Sequence, residues 1–339
     1  MKSIILNGAG NCNVRESQPD PDLDQIALLK VLSSGICAAD KYLWSGNHPW
    51  SIDYPIVPGH EIFGEIVEID EDLSATFPIG TKVAVQVIVP CYDCPSCSQG
   101  FFNMCEKKRH FGSYYKGAFS NFVQIPRGAR MHKYLEPIDD LIGGLSESMA
   151  NAIYCTKRSG LLSSDHVLIL GMGSIGACLA MYLKLEFPKV AVSVLTNNSA
   201  KESILSDFSI TSLALSDLNG YRNHFNQVFE MSGYAPYLEF GLSAIASRGT
   251  LLQYGVFTEA VTVDLNQVSE FKELTIVGAH LADDESFDLS LEFLSKNQKE
   301  LKFLISNIVG YEDYSSVFSS EKFAMFKSIF QPRIKGDNP

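Results

Sequence analysis

The stretch Val167-Leu168-Ile169-Leu170-Gly171-Met172-Gly173-Ser174-Ile175-Gly176-Ala177 decides the fold. Four apolar residues read as a buried strand. Three glycines follow at G-x-G-x-x-G spacing, and a helical run covers residues 175–187. Gly171 allows the tight turn, and Gly173 lets backbone approach a pyrophosphate. Gly176 permits close helix–strand packing, and the helix N-terminus holds the negative charge. From about residue 148 onward, apolar runs at 167–170, 190–195, 227–230, 249–254 and 274–277 alternate with helical stretches. This alternation predicts βαβ units in a doubly wound parallel sheet, an α/β domain binding a dinucleotide.

Cofactor choice is read about 20 residues beyond the glycines, where a carboxylate would hold the ribose 2′-hydroxyl of NAD. Here the second strand ends in Val194-Leu195-Thr196-Asn197-Asn198-Ser199, with Lys201 nearby. Thr196 stands where the acid would be. A neutral polar cluster with a lysine tolerates a 2′-phosphate, so these residues favour NADP(H) over NAD(H). The same residues also fit a plain helix cap.

Residues 1–145 have another texture. Short β-like runs at 26–32, 62–69, 82–89 and 118–125 are broken by Gly and Pro, which predicts a β-rich domain of barrel type. After about residue 283 the pattern turns helical, at 288–293 and 321–330, and this tail is expected to rejoin the first domain.

Eight cysteines are present, and Cys91, Cys94, Cys97 and Cys105 lie within 15 residues. C-x2-C-x2-C-x7-C is a compact thiolate array, able to close a structural zinc site with no open position. An iron–sulfur cluster also needs four cysteines. A second constellation is spread along the first domain: Cys37 in SSGICAAD, His60 and Glu61 in VPGHE, and Glu147 in LSESMA. Thiolate, imidazole and carboxylate together make the mixed zinc site that leaves a position for water or substrate. Asp40 is placed to accept the second ring proton of His60. Taken singly, each of these residues reads as ordinary core or surface, and only their combination points to a site.

VPGHEIFGEI, the four-cysteine loop and the glycine fingerprint, in that order, resemble the zinc-containing medium-chain dehydrogenase/reductase family over essentially the whole chain. LSESMANAIYCTKRSGLLSSDHVLILGMGSIG is similar to its sorbitol dehydrogenase-like branch, where a glutamate takes the third zinc position. Glu147 lies 24 residues before Gly171, which suits that branch. The resemblance implies a GroES-like catalytic domain at 1–147 and 284–339, with a structural zinc lobe at about 90–106, and a Rossmann domain at 148–283. It implies two zinc ions per chain, with Cys37, His60 and Glu147 holding the catalytic one and Glu61 beside it or on it. Gly171, Gly173, Ser174, Ile175, Gly176, Thr196, Asn197, Lys201, Gly255, Val256 and Ala279 become the expected cofactor contacts. Ile36-Cys37-Ala38-Ala39-Asp40 and Phe187-Pro188-Lys189 resemble the ribulose-5-phosphate reductases. Those enzymes prefer NADPH and generally lack the four-cysteine loop.

The reaction so implied is hydride transfer between nicotinamide C4 and a secondary alcohol or ketone, with a polyol, sugar or sugar phosphate as substrate. Many relatives carry Ser or Thr two positions after the zinc cysteine, and often His three further on, to pass the proton outward. Here those positions are Ala39 and Tyr42, so the usual relay is broken. Tyr42, or water near Glu61 and Glu147, is the expected substitute. Lys41, His48, Arg109 and His110 are candidates for holding a phosphate or polyol. Two other readings stand beside this one: a simple alcohol or aldehyde reductase, and a non-catalytic nucleotide-binding relative, which Ala39 alone favours.

The 339 residues are 46% hydrophobic and 19% charged, ordinary for a globular protein. Lys+Arg 27 against Asp+Glu 39 gives a net charge of −12, which argues against nucleic-acid and anionic-membrane partners. The start, MKSIILNGAG, has too short an apolar core for a signal peptide. The longest uncharged run, 17 residues from Val167, is short for a membrane span and carries three glycines. A cytoplasmic protein is expected, and family habit predicts a homodimer or homotetramer.

Overall fold

The computed structural model describes residues 1–16, 18–47, 52–319 and 325–332. The chain divides into two units, Met1–Ala150 with Asp283–Pro339, and Asn151–Ala282.

In the second unit, six strands form one sheet in the order Thr211–Leu213, Ala191–Leu195, His166–Leu170, Phe225–Glu230, Ile245–Gln253, Thr275–Gly278. All five pairings are parallel. Numbered along the chain, the order is 3-2-1-4-5-6, the doubly wound dinucleotide-binding arrangement. The central strands are buried along almost their whole length, as expected of a parallel sheet covered on both faces. The order reverses beside His166–Leu170, and the glycine loop leaves the C-terminal end of that strand.

The first unit is built on a seven-stranded sheet. Its path runs Ile305–Val309, Lys327–Phe330, Gln25–Ile36, Glu61–Ile69, Lys82–Val85, Met131–Lys133, and Phe122–Pro126 pairs with Gln25–Ile36 off this path. Leu29, Val31, Ile62, Ile66, Val83, Val85, Val123 and Ile125 fill the core. The 82–89 run is interrupted, giving Lys82–Val85 and Ile88–Val89. The 118–125 run becomes the strand Phe122–Pro126.

One register matters for the site. Gly35, at the end of the long strand Gln25–Ile36, stands opposite Glu61 on one side and Ile329 on the other. The helix expected at 321–330 is corrected here. Lys327–Phe330 is a strand, antiparallel to Gln25–Ile36 and parallel to Ile305–Val309, while 321–324 lie outside the described residues. A short apolar run carries no decisive period, and the open neighbour beside Gln25–Ile36 settles it as strand. The helix expected at 288–293 is found within Asp284–Lys296. Among the described residues no helix is long and apolar enough to cross a membrane.

Candidate metal centre and nucleotide loop

Cys37 leaves the long strand and caps the helix Ala38–Ser45 from an extended conformation. Its N–H donates to Asp40 Oδ2 at 2.8 Å, and the Asp40 N–H donates to the Cys37 carbonyl at 3.1 Å. This reciprocal pair fixes the entry to the helix, and so the place of the thiol. His60 follows Gly59, whose φ of +95° and close approach to Phe119 exclude a side chain there. Glu61 begins the strand Glu61–Ile69.

Ligand atoms of Cys37, His60 and Glu61 all lie within 4.8 Å of one another. Asp40 is fully buried, and its Oδ1 lies 3.5 Å from His60 Nδ1. That oxygen has no hydrogen-bond partner at normal distance among the described residues. A buried carboxylate oxygen facing one ring nitrogen selects the tautomer with Nδ1 protonated, leaving Nε2 free to bind a metal. Burial alone would depress the His60 pKa. The Asp40 carboxylate and Cys37 outweigh it and hold the imidazole well above its ordinary range. Thiolate, imidazole and carboxylate in one pocket fit zinc.

Glu147 lies in the first turn of the helix Ser146–Ser159, buried, but outside that three-residue group. Sequence reasoning missed Lys327. It is fully buried, its Nζ donating to Glu61 Oε1 and, at 3.0 Å, to Ser148 Oγ. Burial opposes its charge, but Glu61, Cys37 and Glu147 together raise its pKa. The one hint in the sequence is a lysine set inside the apolar run Phe326-Lys327-Ser328-Ile329-Phe330.

Tyr42 is half-buried on the Ala38–Ser45 helix, and its hydroxyl makes no hydrogen bond among the described residues. Lys41 is exposed beside it. Arg109 stacks its guanidinium 4.4 Å from the Tyr114 ring, next to the half-buried His110. His48 lies outside the described residues.

The other cysteines form a separate lobe, closed by the pairing of Ile88–Val89 with Arg109–His110. All four are free, and their sulfurs lie within 4.8 Å of one another. Cys94 and Cys105 Sγ are 3.9 Å apart, and Cys105 and Cys91 Sγ 3.5 Å. A disulfide needs about 2.05 Å, whereas a tetrahedral site with Zn–S of about 2.3 Å has edges of about 3.8 Å. Backbone N–H groups at Cys97 and Glu106 pull Cys94 down to about 6, and burial with neighbouring thiols pushes Cys97 up to about 12. Four adjacent thiols cannot all ionise without a cation among them.

In the second unit two of the three fingerprint glycines have a steric reason, and the third keeps the backbone open. Gly171 has φ +99°, and a Cβ there would meet Ser232 at 2.8 Å. A Cβ on Gly176 would lie 2.2 Å from the Gly171 carbonyl. Gly173 faces open space just before the helix Ser174–Glu186, leaving its backbone accessible, with Ser174 and Ile175 half-buried behind it. This loop fits a pyrophosphate.

Thr196 is buried, and its Oγ1 accepts from the Asn198 N–H at 3.3 Å. The cap of the next helix is Asn198, which accepts from the Ala200 N–H, and Asn197 is exposed. Lys201 donates to the Met172 carbonyl inside the glycine loop, and burial lowers its pKa. Gly255 packs against the buried Glu230 carboxylate, which also accepts from the Ser232 and Gly233 N–H groups and from Gln253. Val256 is exposed, and Ala279 follows the last strand with its N–H on the Gln253 carbonyl.

Residues 24–135 match the alcohol dehydrogenase GroES-like domain. The chain is 28% identical over 294 residues to 2-dehydro-3-deoxy-L-galactonate 5-dehydrogenase of Pseudoalteromonas atlantica, covering 84% of this chain and 85% of that one. It is 24% identical over 338 residues to sorbitol dehydrogenase of Halalkalibacterium halodurans, covering 95% and 96%. A crystal structure from Sinorhizobium meliloti, described as a zinc-binding dehydrogenase bound to NADP, superposes with a TM-score of 0.88 at 23% identity, covering 98% and 99%. Fold, metal-type donor sets and relatives agree on the class, a zinc-type dehydrogenase. The chain carries an alcohol dehydrogenase GroES-like domain at residues 24–135, and its relatives are polyol and sugar-acid dehydrogenases of the zinc-containing medium-chain dehydrogenase/reductase superfamily.

Proposed function

We propose that this protein interconverts a secondary alcohol and a ketone of a polyol, sugar, sugar acid or sugar phosphate, using a nicotinamide cofactor. The observation that carries the reading is the Cys37–His60–Glu61 cluster, with Asp40 fixing the imidazole, in a chain that also holds the 171–176 glycine loop. Cys37 and His60, with Glu61 or Glu147, would hold zinc, which when bound supplies Lewis-acid polarisation of the substrate oxygen. Asp40 keeps a proton on His60 Nδ1. Gly173 and the helix N-terminus bind the cofactor pyrophosphate and so orient the nicotinamide. Cys91, Cys94, Cys97 and Cys105 would hold a second, structural zinc. Two zinc ions per chain, with turnover in a panel of sugars, polyols and their phosphates against NADH and NADPH, test the reading. Zinc at one site only, with no turnover, would favour the non-catalytic alternative.

NADP(H) is the proposed cofactor, because Thr196 replaces the carboxylate that would repel a 2′-phosphate. Thr196→Asp is expected to shift the NADPH/NADH ratio of kcat/KM by about tenfold or more, a difference of about 1.4 kcal/mol. A wild-type enzyme using NADH as well as NADPH would contradict this.

Proton delivery is proposed to run through solvent beside Glu61 and Glu147 rather than through Tyr42. A phenol near its usual pKa of about 10 is poorly matched to neutral pH. Tyr42→Phe should then leave turnover nearly unchanged, whereas a loss of ~10²–10⁴-fold with zinc retained would assign the role to Tyr42.

Eight free cysteines support a reducing, cytoplasmic compartment. The edge strand Thr275–Gly278, which exposes Ile276, supports a homodimer or homotetramer.

A further inference from the structure

We propose that Lys327 is a positioning residue that holds the Glu61 carboxylate off the metal, so that one coordination position stays open for substrate. The inference rests on Cys37 and His60 being metal ligands, as proposed above.

Three elements converge on this pair. Glu61 opens the strand Glu61–Ile69, Lys327 opens the strand Lys327–Phe330, and both strands flank the end of Gln25–Ile36 at Gly35. Both side chains are 2% exposed. Nζ of Lys327 bonds Glu61 Oε1, and Ser148 Oγ accepts from the same Nζ at 3.0 Å. The Ser148 hydroxyl lies 3.4 Å from Glu61 Oε2. Both carboxylate oxygens therefore face partners on the side away from solvent. The space for them is reserved by a glycine: a Cβ on Gly35 would lie 2.1 Å from Glu61 Oε2 and 2.7 Å from Lys327 Cε.

A buried ion pair is weak evidence for stability, since an apolar pair of similar volume often does as well. A burial this complete asks for another reason. Glu61 is close enough to Cys37 and His60 to share a metal with them. Thiolate, imidazole and two carboxylates can close four positions around zinc, and a closed site has no place for substrate. A fixed cation behind Glu61 competes with the metal for the same carboxylate. It also offsets one of the negative charges that gather here from Cys37, Glu61 and Glu147.

Lys327→Met releases Glu61 and is tested on the full chain. Zinc affinity is measured by competition with a chromogenic chelator, the four-cysteine site serving as an internal reference. The visible spectrum of the cobalt(II) protein is recorded beside it. Zinc at the Cys37–His60 site should bind about 10–100-fold tighter, the size of effect typical of groups behind a metal ligand. The cobalt spectrum should change and substrate KM should rise. In Glu61→Gln/Lys327→Met the affinity should return to within a few-fold of Glu61→Gln alone. Unchanged or weaker zinc binding in Lys327→Met would overturn the proposal, and so would the same shift in the Glu61→Gln background. If Lys327→Met does not fold, Ser148→Ala keeps both charges while loosening both. It should move affinity and KM the same way by less, and no movement would overturn the proposal. Lys327→Arg should retain the wild-type spectrum. A wild-type chain that takes up metal only at the four cysteines would refute the metal site itself, a result distinct from failure of the Lys327 role.

Discussion

His60→Ala is expected to lower kcat/KM by at least about 10³-fold and to remove one zinc per chain, with nucleotide binding intact. His60 is the one imidazole of the donor cluster, and Asp40 faces its Nδ1, which leaves Nε2 for the proposed metal. Without it, Cys37 and Glu61 remain, and the Lys327 ammonium already engages Glu61. Lewis-acid stabilisation of a developing alkoxide is worth several kcal/mol, and each 1.36 kcal/mol is about tenfold in rate. Alanine also strands the Asp40 carboxylate without the donor it faces. A buried unsatisfied group of this kind typically destabilises by about 1–3 kcal/mol. Cofactor binding is the control, because the 171–176 loop belongs to the other unit. Nucleotide fluorescence should therefore titrate normally while metal analysis and turnover both fall. Retention of full activity would remove the Cys37–His60 site from consideration.

The two units differ in how much their sequence discloses. The centre of the parallel sheet is buried on both faces, so strands such as His166–Leu170 and Ala191–Leu195 write themselves as nearly continuous apolar runs. Gly171 and Gly176 answer steric demands that a side chain would not meet, and Gly173 leaves the loop backbone open. The four cysteines are legible because they are neighbours in the chain. Cys37, His60 and Glu61 are legible only as a pattern shared with relatives. Their local sequences say nothing of the long-range register that brings Gly35 opposite Glu61. Lys327 is barely legible, its one sign being its place inside an apolar run. Its partner is 266 residues away, and a single lysine at the head of a short apolar run reads as exposed. The expected helix at 321–330 gives way to the strand Lys327–Phe330, because four residues hold little more than one helical turn and two strand repeats, too few to decide between the patterns. Pairing on both sides decided it.

Cys94→Ser is expected to lose one zinc per chain and to lower the melting midpoint of the metal-bearing unit by on the order of 10 °C. The lobe that holds Cys94 has little else to stabilise it. Its cluster consists of Cys94, Cys97 and Cys105 with Cys91 and Phe102 packed against them. Two strands of two residues each close its base. A segment with so small a core depends on its metal for folding free energy. Serine preserves volume but offers a hydroxyl that is not ionised near neutral pH. The N–H groups at Cys97 and Glu106 that favour the Cys94 thiolate would then face a poor ligand. A loss of about 3–5 kcal/mol lies at the upper end for one substitution, and metal loss is among its named causes. At about 2–4 °C per kcal/mol for a unit of this size, the midpoint falls by the amount stated. The Cys37–His60 site should keep its metal, because its ligands come from the seven-stranded sheet and the helix beside it rather than from the lobe. Calorimetry with metal analysis on the same sample separates the two sites. An unchanged midpoint with two zinc ions per chain would show that the four cysteines hold no metal.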